Sequence, residues 1–209
     1  MGRAEQERDE SNQRYGRGEH LEREPSAFLI GAYEEFVTPR FPAGGTALDV
    51  AGGIGRHAIW MAQRGWEVTL VDISDVGVAM ALEEARSAGV SIHGEAADLC
   101  IYDFGRSRFD LILAFYFLER SIFPALATAL KPGGLILYKT YTRKHRKFRG
   151  CSHPMYFLEP GELRGAFPEF EELRYRESKG MAELVARKRE ARRRRSLTCS
   201  RRPVKPRLL

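Results

Sequence analysis

The sequence predicts an α/β fold, a mostly parallel sheet with helices on both faces. Three observations carry this. Short, nearly uninterrupted apolar runs near Thr46–Val50, Trp66–Asp72 and Phe109–Phe115 read as strands buried on both sides. Stretches rich in Ala, Leu and Met alternate with them and stop at Gly65 and Gly89, where a chain leaving a helix often needs glycine. Between the first strand and the first of these stretches stands Asp49-Val-Ala-Gly-Gly-Ile-Gly-Arg-His57, a strand, a tight glycine turn and a helix start.

Taken in order, residues 1–12 are polar and charged and are expected to be disordered. Ser26 is placed to cap a helix carrying Phe28, Leu29, Tyr33 and Phe36, which Pro39, Pro42, Gly44 and Gly45 interrupt. The first strand follows, then the glycine turn and a helix through Ala58, Ile59, Met61 and Ala62. The second strand ends in Asp72, and Ser74 or Asp75 caps the next helix. Val90–Glu95 reads as a third strand and Phe109–Phe115 as a fourth. A helix over about Ser121–Leu130, a Lys131-Pro-Gly-Gly134 turn and a fifth strand, Leu135–Thr140, complete the alternation. After a basic loop from Tyr141 to Met155, a short helix spans Glu162–Phe167. Phe170–Glu177 and Met181–Lys188 then suit an antiparallel hairpin at the sheet edge, joined through Ser-Lys-Gly.

The chain has 209 residues, enough for one domain with a sizeable core. No apolar run reaches the roughly 18 residues of a membrane helix, and the first ten residues hold no apolar signal core. Cys100, Cys151 and Cys199 are far apart and lack metal-ligand spacing, so no metal is expected and a reduced cytoplasm suits them. The net charge of +6 is uneven. Met181–Leu209 holds eleven Lys/Arg against two Glu, which leaves a net −3 on residues 1–180. Basicity therefore belongs to the tail from 189 to 209. That tail is expected to be a disordered appendage, with salt-sensitive nucleic-acid binding as the alternative.

The glycine turn invites a ligand close to its backbone, and its N–H groups favour a polar or anionic ligand group. In doubly wound sheets ligands bind beyond the carboxyl ends of the strands. Three acids fall at or near such ends. Asp49 precedes the turn, Asp72 can accept from a ribose diol, and Asp98 can accept from an adenine amino group. Two cofactors compete. Gly53-Ile-Gly55-Arg-His-Ala58 with Asp72 is a tolerable dinucleotide pattern. A carboxylate at Asp49, directly before the turn, suits an ammonium-bearing cofactor better than a pyrophosphate.

Leu48-Asp-Val-Ala-Gly-Gly-Ile-Gly-Arg56, Val71-Asp-Ile-Ser74, Ala97-Asp-Leu99, Phe109-Asp-Leu-Ile-Leu113 and Leu130-Lys-Pro-Gly-Gly-Leu-Ile-Leu137 resemble, in order, the motifs of class I S-adenosylmethionine-dependent methyltransferases. Gln13-Arg-Tyr15, the Gly-Arg-His turn, Phe115-Tyr-Phe-Leu-Glu-Arg120 and Tyr156-Phe-Leu-Glu-Pro-Gly-Glu-Leu163 resemble the small tellurite-resistance and thiopurine-type members. The resemblance implies a methyltransferase domain over 13–188, with a Rossmann-like, mostly parallel seven-stranded sheet and an antiparallel last strand. It implies S-adenosylmethionine as cofactor. The backbone of Ala51, Gly52, Gly53 and Gly55 would hold its methionine part and Asp49 would lie near its ammonium. Asp72 and Ile73 would border the ribose, Asp98 and Leu99 the adenine, and Phe115 and Tyr116 the methyl group, under a lid bearing Tyr15. Ala51 departs from the family, where glycine is usual; it is harmless only if its φ is negative.

The resemblance implies a small-molecule acceptor, a soft nucleophile such as a thiol or chalcogen oxyanion; such an acceptor needs no strong general base, and the sequence, with no evident Ser-His-Asp or Cys-His pairing, fits that. Candidates beside the acceptor are Tyr116, Arg149, His153 and Tyr156. Asp110, His93, Trp60 and Trp66 read as structural, and His57 as either solvated or near the cofactor. A monomer or weak dimer without a membrane is expected. The alternatives are an RNA or protein methyltransferase using the basic loop and tail, an NAD-binding oxidoreductase, and a non-catalytic cofactor-binding protein.

Overall fold

A computed structural model describes residues 2–19, 21–145 and 154–190. Seven strands form one sheet in the order β3-β2-β1-β4-β5-β7-β6, with β1 at Thr46–Val50, β2 at Glu67–Asp72, β3 at His93–Ala96, β4 at Phe109–Phe115, β5 at Leu130–Tyr141, β6 at Phe170–Ser178 and β7 at Met181–Lys188. The pairs β1–β2, β1–β4, β2–β3 and β4–β5 are parallel, whereas β7 runs antiparallel to both β5 and β6. Parallel pairing needs a crossover, and helices α3 (Arg56–Ala62), α4 (Asp75–Ser87) and α5 (Phe123–Ala129) supply three of them. The strand order reverses between β1 and β4, so a crevice opens above their carboxyl ends.

The apolar runs are long because both faces are covered. Leu111, Leu113 and Phe115 point into one buried cluster with Phe28, Leu29, Met61 and Leu70. Ile112 and Ala114 point into the other, with Tyr138, Leu126, Phe123 and Phe167. At the amino end of the sheet Asp110 accepts hydrogen bonds from the Thr46 amide (3.0 Å) and from Lys131 Nζ (2.8 Å). It ties β1, β4 and β5 together, as a structural residue should. The hairpin between β6 and β7 turns on Lys179 and Gly180, both with positive φ (50° and 74°), the two-residue turn whose twist matches the strands.

The structure departs from the expected boundaries in places. β5 begins at Leu130, although regular pairing with β4 starts only at Leu135, and Gly133 with φ 81° marks the irregular stretch. The helix after Ser26, α2 (Ala27–Ala32), continues as a π-helical turn over Tyr33–Val37. Ser26 makes no side-chain cap; its amide instead donates to His57 Nε2. The last helix, α6, is shorter than expected, at Glu162–Gly165.

The main correction is at the N-terminus. Residues 1–12 were expected to be disordered, yet Arg3–Gly16 is a helix, α1, with no buried residue. Two things offset its lack of an apolar face. Side-chain pairs one turn apart, Arg3–Glu7 and Gln6–Glu10, support it from within, and Glu5 accepts from the Gly2 amide at its start. Polar contacts then dock it across the sheet. Asn12 bonds Ser74 Oγ (2.6 Å) and Asp75 (2.8 Å), and Arg3 reaches Glu119 (3.4 Å). Tyr156 Oη donates to Glu7 (2.8 Å). The tail from 191 to 209 lies outside the described residues.

Candidate functional site

The crevice is built first by the glycine turn. Ala51 (φ 53°), Gly53 (φ 54°) and Gly55 (φ 79°) all adopt left-handed backbone, so the turn does need positive φ at Ala51. A left-handed alanine is strained by about 1–2 kcal/mol. Gly52 is required for a different reason: a Cβ there would lie 2.7 Å from Leu70 Cγ and 3.0 Å from Asp49 Cγ. The turn is therefore pressed against the buried Asp49 on one side.

Asp49 is 1% exposed, and its Oδ2 accepts the Ala58 amide at 3.1 Å. Burial, helped by the neighbouring charge of Asp72, pushes its carboxyl up to about 7, against the Ala58 hydrogen bond and the Arg56 charge. Asp72, at the end of β2, is also buried. Its two oxygens accept the Gly53 amide (2.8 Å) and the Ser74 amide (2.9 Å), yet burial still raises its pKa. One carboxylate thus fixes both the glycine turn and the entry to α4, which Ser74 Oγ caps through the Gly77 amide (2.9 Å). Asp98, after β3, accepts the Cys100 amide through Oδ1 (2.9 Å), and Leu99 packs into the core beside it. Ile73 is half-buried, and its carbonyl accepts from Arg8 (3.3 Å).

Tyr15 on α1 lies over this half of the crevice. A Cβ on Gly53 would stand 2.5 Å from its hydroxyl, and one on Gly77 would stand 2.9 Å from its ring. Two glycines therefore leave room for one phenol, whose pKa burial and the Asp72 charge both raise. The helix that composition reading missed is the element that brings Tyr15 here.

Above β4 and β5 the chemistry changes. Phe115 is buried against Phe28 (centroids 5.8 Å apart) and His57 (4.2 Å). Tyr116 follows with a positive φ of 59°, is 39% exposed, and its amide donates to the Lys139 carbonyl (2.7 Å). A left-handed tyrosine is a strained conformation that its surroundings must hold in place. Tyr141 lies 5.7 Å from the Tyr116 ring, and the Arg56 guanidinium lies 5.4 Å over its face. Arg56 was visible in the turn motif but was not singled out as a site residue.

His57 is buried rather than solvated. Burial, then the charges of Arg56 and Lys139, lower its pKa to about 3, and its Nε2 already accepts the Ser26 amide. It is a neutral anchor for the start of α2 and not a proton acceptor for a ligand. Tyr156 sits under α1, whereas Arg149 and His153 lie outside the described residues. His93 is exposed beside Glu95; Trp60 and Trp66 pack against Tyr33. Among the described residues no group of three or more His, Cys, Asp or Glu could hold a metal ion, and no helix is long and apolar enough to cross a membrane.

Residues 47–134 match the family model of a methyltransferase domain. The tRNA 5-carboxymethoxyuridine methyltransferase of Escherichia coli (strain K12) is 36% identical over 104 residues, which cover 45% of this chain and 39% of that protein. The ubiquinone biosynthesis O-methyltransferase of Xanthomonas axonopodis pv. citri (strain 306) is 29% identical over 153 residues, covering 62% of this chain and 63% of that protein. The chain thus spans less than two thirds of either relative. Among solved structures, TehB from Haemophilus influenzae shares the fold with a TM-score of 0.67 at 18% identity, over 85% of this chain and 67% of that one. An S-adenosylmethionine-dependent methyltransferase from Mesorhizobium loti does so with a TM-score of 0.62 at 19% identity, over 78% and 98%. The matched residues run from β1 to the first residues of β5, the part that builds the glycine turn and its acids. Residues 47–134 thus match a methyltransferase domain, and the fold is the one seen in solved S-adenosylmethionine-dependent methyltransferases.

Proposed function

We propose that this protein transfers a methyl group from S-adenosylmethionine to a small-molecule acceptor. One observation carries the reading. A glycine turn flanked by two buried acids stands at the switch point of the sheet, next to an aromatic strand end. The residues present fit the cofactor. Asp49 is a buried carboxylate with no cationic side chain bonded to it, placed where an ammonium would relieve its burial. The Gly52 position leaves no space for a side chain between turn and Asp49. Asp72 and Ile73 are placed for the ribose, and Asp98 and Leu99 for the adenine. Ala51, Gly53 and Gly55 lend backbone to the methionine part, and Phe115 and Tyr116 border the reacting end. Tyr15 and α1 act as the lid.

S-adenosylmethionine supplies an already activated methyl group. The chain's task is then alignment and exclusion of water. Phe115 and Phe28 give an apolar wall, and α1 closes the crevice from above. His57 cannot serve as general base, since its lone pair is engaged and its pKa is far below neutrality. An acceptor that arrives already ionised, such as a thiolate or a chalcogen oxyanion, suits this site.

A second reading is methylation of RNA, as one relative is a tRNA methyltransferase and residues 181–209 are strongly basic. The deciding experiment is a methyl-transfer screen over thiols, selenite, tellurite, small phenols, small amines and RNA. Turnover of a small acceptor by the chain lacking residues 191–209 supports the proposal. Turnover of RNA alone, abolished by that truncation, overturns it.

A further inference from the structure

Arg56 is the unexplained cation of the crevice. It is the first residue of α3 and half-buried, and no carboxylate lies within ion-pair distance of it among the described residues. Other cations near the strand ends are neutralised: Lys139 pairs with Glu183 at 2.8 Å, and Arg120 with Glu162. Arg56 instead lies over the ring of Tyr116, a residue with left-handed backbone that stays partly exposed. A guanidinium resting on a ring keeps its N–H edge for an anion. The Tyr141 ring lies 5.7 Å from that of Tyr116, so the start of α3 and the ends of β4 and β5 bring one cation and two rings together. Packing against Tyr116 also limits the rotamers of Arg56, which lowers the entropy lost on binding.

Resting on the methyl-transfer reading above, we infer that Arg56 and Tyr116 form an anion-selecting wall of the acceptor pocket. The acceptor it selects carries a carboxylate on a flat ring, in addition to the group that is methylated. The carboxylate meets the N–H edge of Arg56, and the ring lies along Tyr116 and Tyr141. Arg56 is thus a specificity-determining residue, separate from the acids that serve the cofactor.

Calorimetry on the full chain loaded with S-adenosylhomocysteine tests this with matched pairs: 4-mercaptobenzoate against thiophenol, and 3,4-dihydroxybenzoate against catechol. In at least one pair the carboxylate should bind about tenfold more tightly, the size of a charge-assisted hydrogen bond. Arg56→Gln should reduce that preference to within about twofold, and Arg56→Lys should restore part of it, since a point charge lacks the planar fork. S-adenosylhomocysteine affinity should be unchanged in both variants, which also reports that they fold. Absence of any preference in the unaltered protein overturns the inference, as does a preference that survives Arg56→Gln. A loss of S-adenosylhomocysteine affinity in Arg56→Gln overturns it too, by assigning the residue to the cofactor. Failure of the unaltered protein to bind S-adenosylhomocysteine is a different result: it removes the methyl-transfer reading itself.

Discussion

Over β1, β2 and β3 the crevice is lined by carboxylates and glycines; over β4 and β5 it is lined by rings and a cation. The first half is tightly determined. Asp72 alone holds the Gly53 and Ser74 amides, Asp49 holds Ala58, and Gly52 is wedged between Leu70 and Asp49. The second half is looser, with Tyr116 partly in solvent and Arg56 resting on it. A site that keeps one ligand constant across a family and lets the other vary would be built this way. The difference predicts that changes in the first half act on cofactor affinity and stability, and changes in the second on the choice of acceptor.

The largest effect should come from Asp72→Asn. Asparagine has a single acceptor oxygen and puts an NH2 donor in place of the other, so one of the two buried amides loses its partner and the ribose loses its charged acceptor. S-adenosylhomocysteine affinity should fall about a hundredfold, two charge-assisted hydrogen bonds' worth. An equal affinity measured by calorimetry would break the division between the halves.

The next effect is on pH. Asp49 is raised from an ordinary 3.8 to about 7. An acid raised on folding adds stability below its unfolded pKa and loses it as pH climbs through the folded one. The ligand-free protein should therefore become less heat-stable between pH 4 and pH 7 through this group, and Asp49→Asn should flatten that slope. Cofactor binding should run the opposite way, because an ammonium wants the ionised carboxylate. Affinity should be about tenfold weaker at pH 6 than at pH 8, and a flat profile would place the ammonium elsewhere.

Smaller again is Ala51→Gly. It releases the left-handed strain at φ 53° but loosens the unfolded chain, for a net stabilisation of about 1 kcal/mol. Thermal unfolding with and without S-adenosylhomocysteine reads this directly; a destabilised variant would mean that the alanine methyl is packed to advantage. The smallest effect is expected from deleting residues 191–209, which include none of the residues assigned above to cofactor or acceptor; small-acceptor turnover should change by no more than about twofold.

Legibility in the sequence follows the same division. The sheet was readable because strands covered on both faces must be apolar throughout, as Leu111–Phe115 is. The placement of Asp49 and Asp72 beside the glycine turn was readable because each lies at or near the end of an apolar run that reads as a strand. Helix α1 was not, since it has no apolar stripe; its support comes from pairs such as Arg3–Glu7 and from docking onto Ser74 and Asp75. The only hints were charges one turn apart. His57 was read as a surface or cofactor residue, but its burial depends on Ser26 and Phe115, far away in the chain. Arg56 escaped notice for a like reason, because its significance lies in Tyr116, sixty residues on.

The central claim is that the acidic half of the crevice seats S-adenosylmethionine. Calorimetry with S-adenosylhomocysteine and, separately, with NAD tests it most directly. The account predicts one-site binding of S-adenosylhomocysteine, about a hundredfold weaker in Asp72→Asn, and no heat with NAD. Tight NAD binding without S-adenosylhomocysteine binding would contradict it.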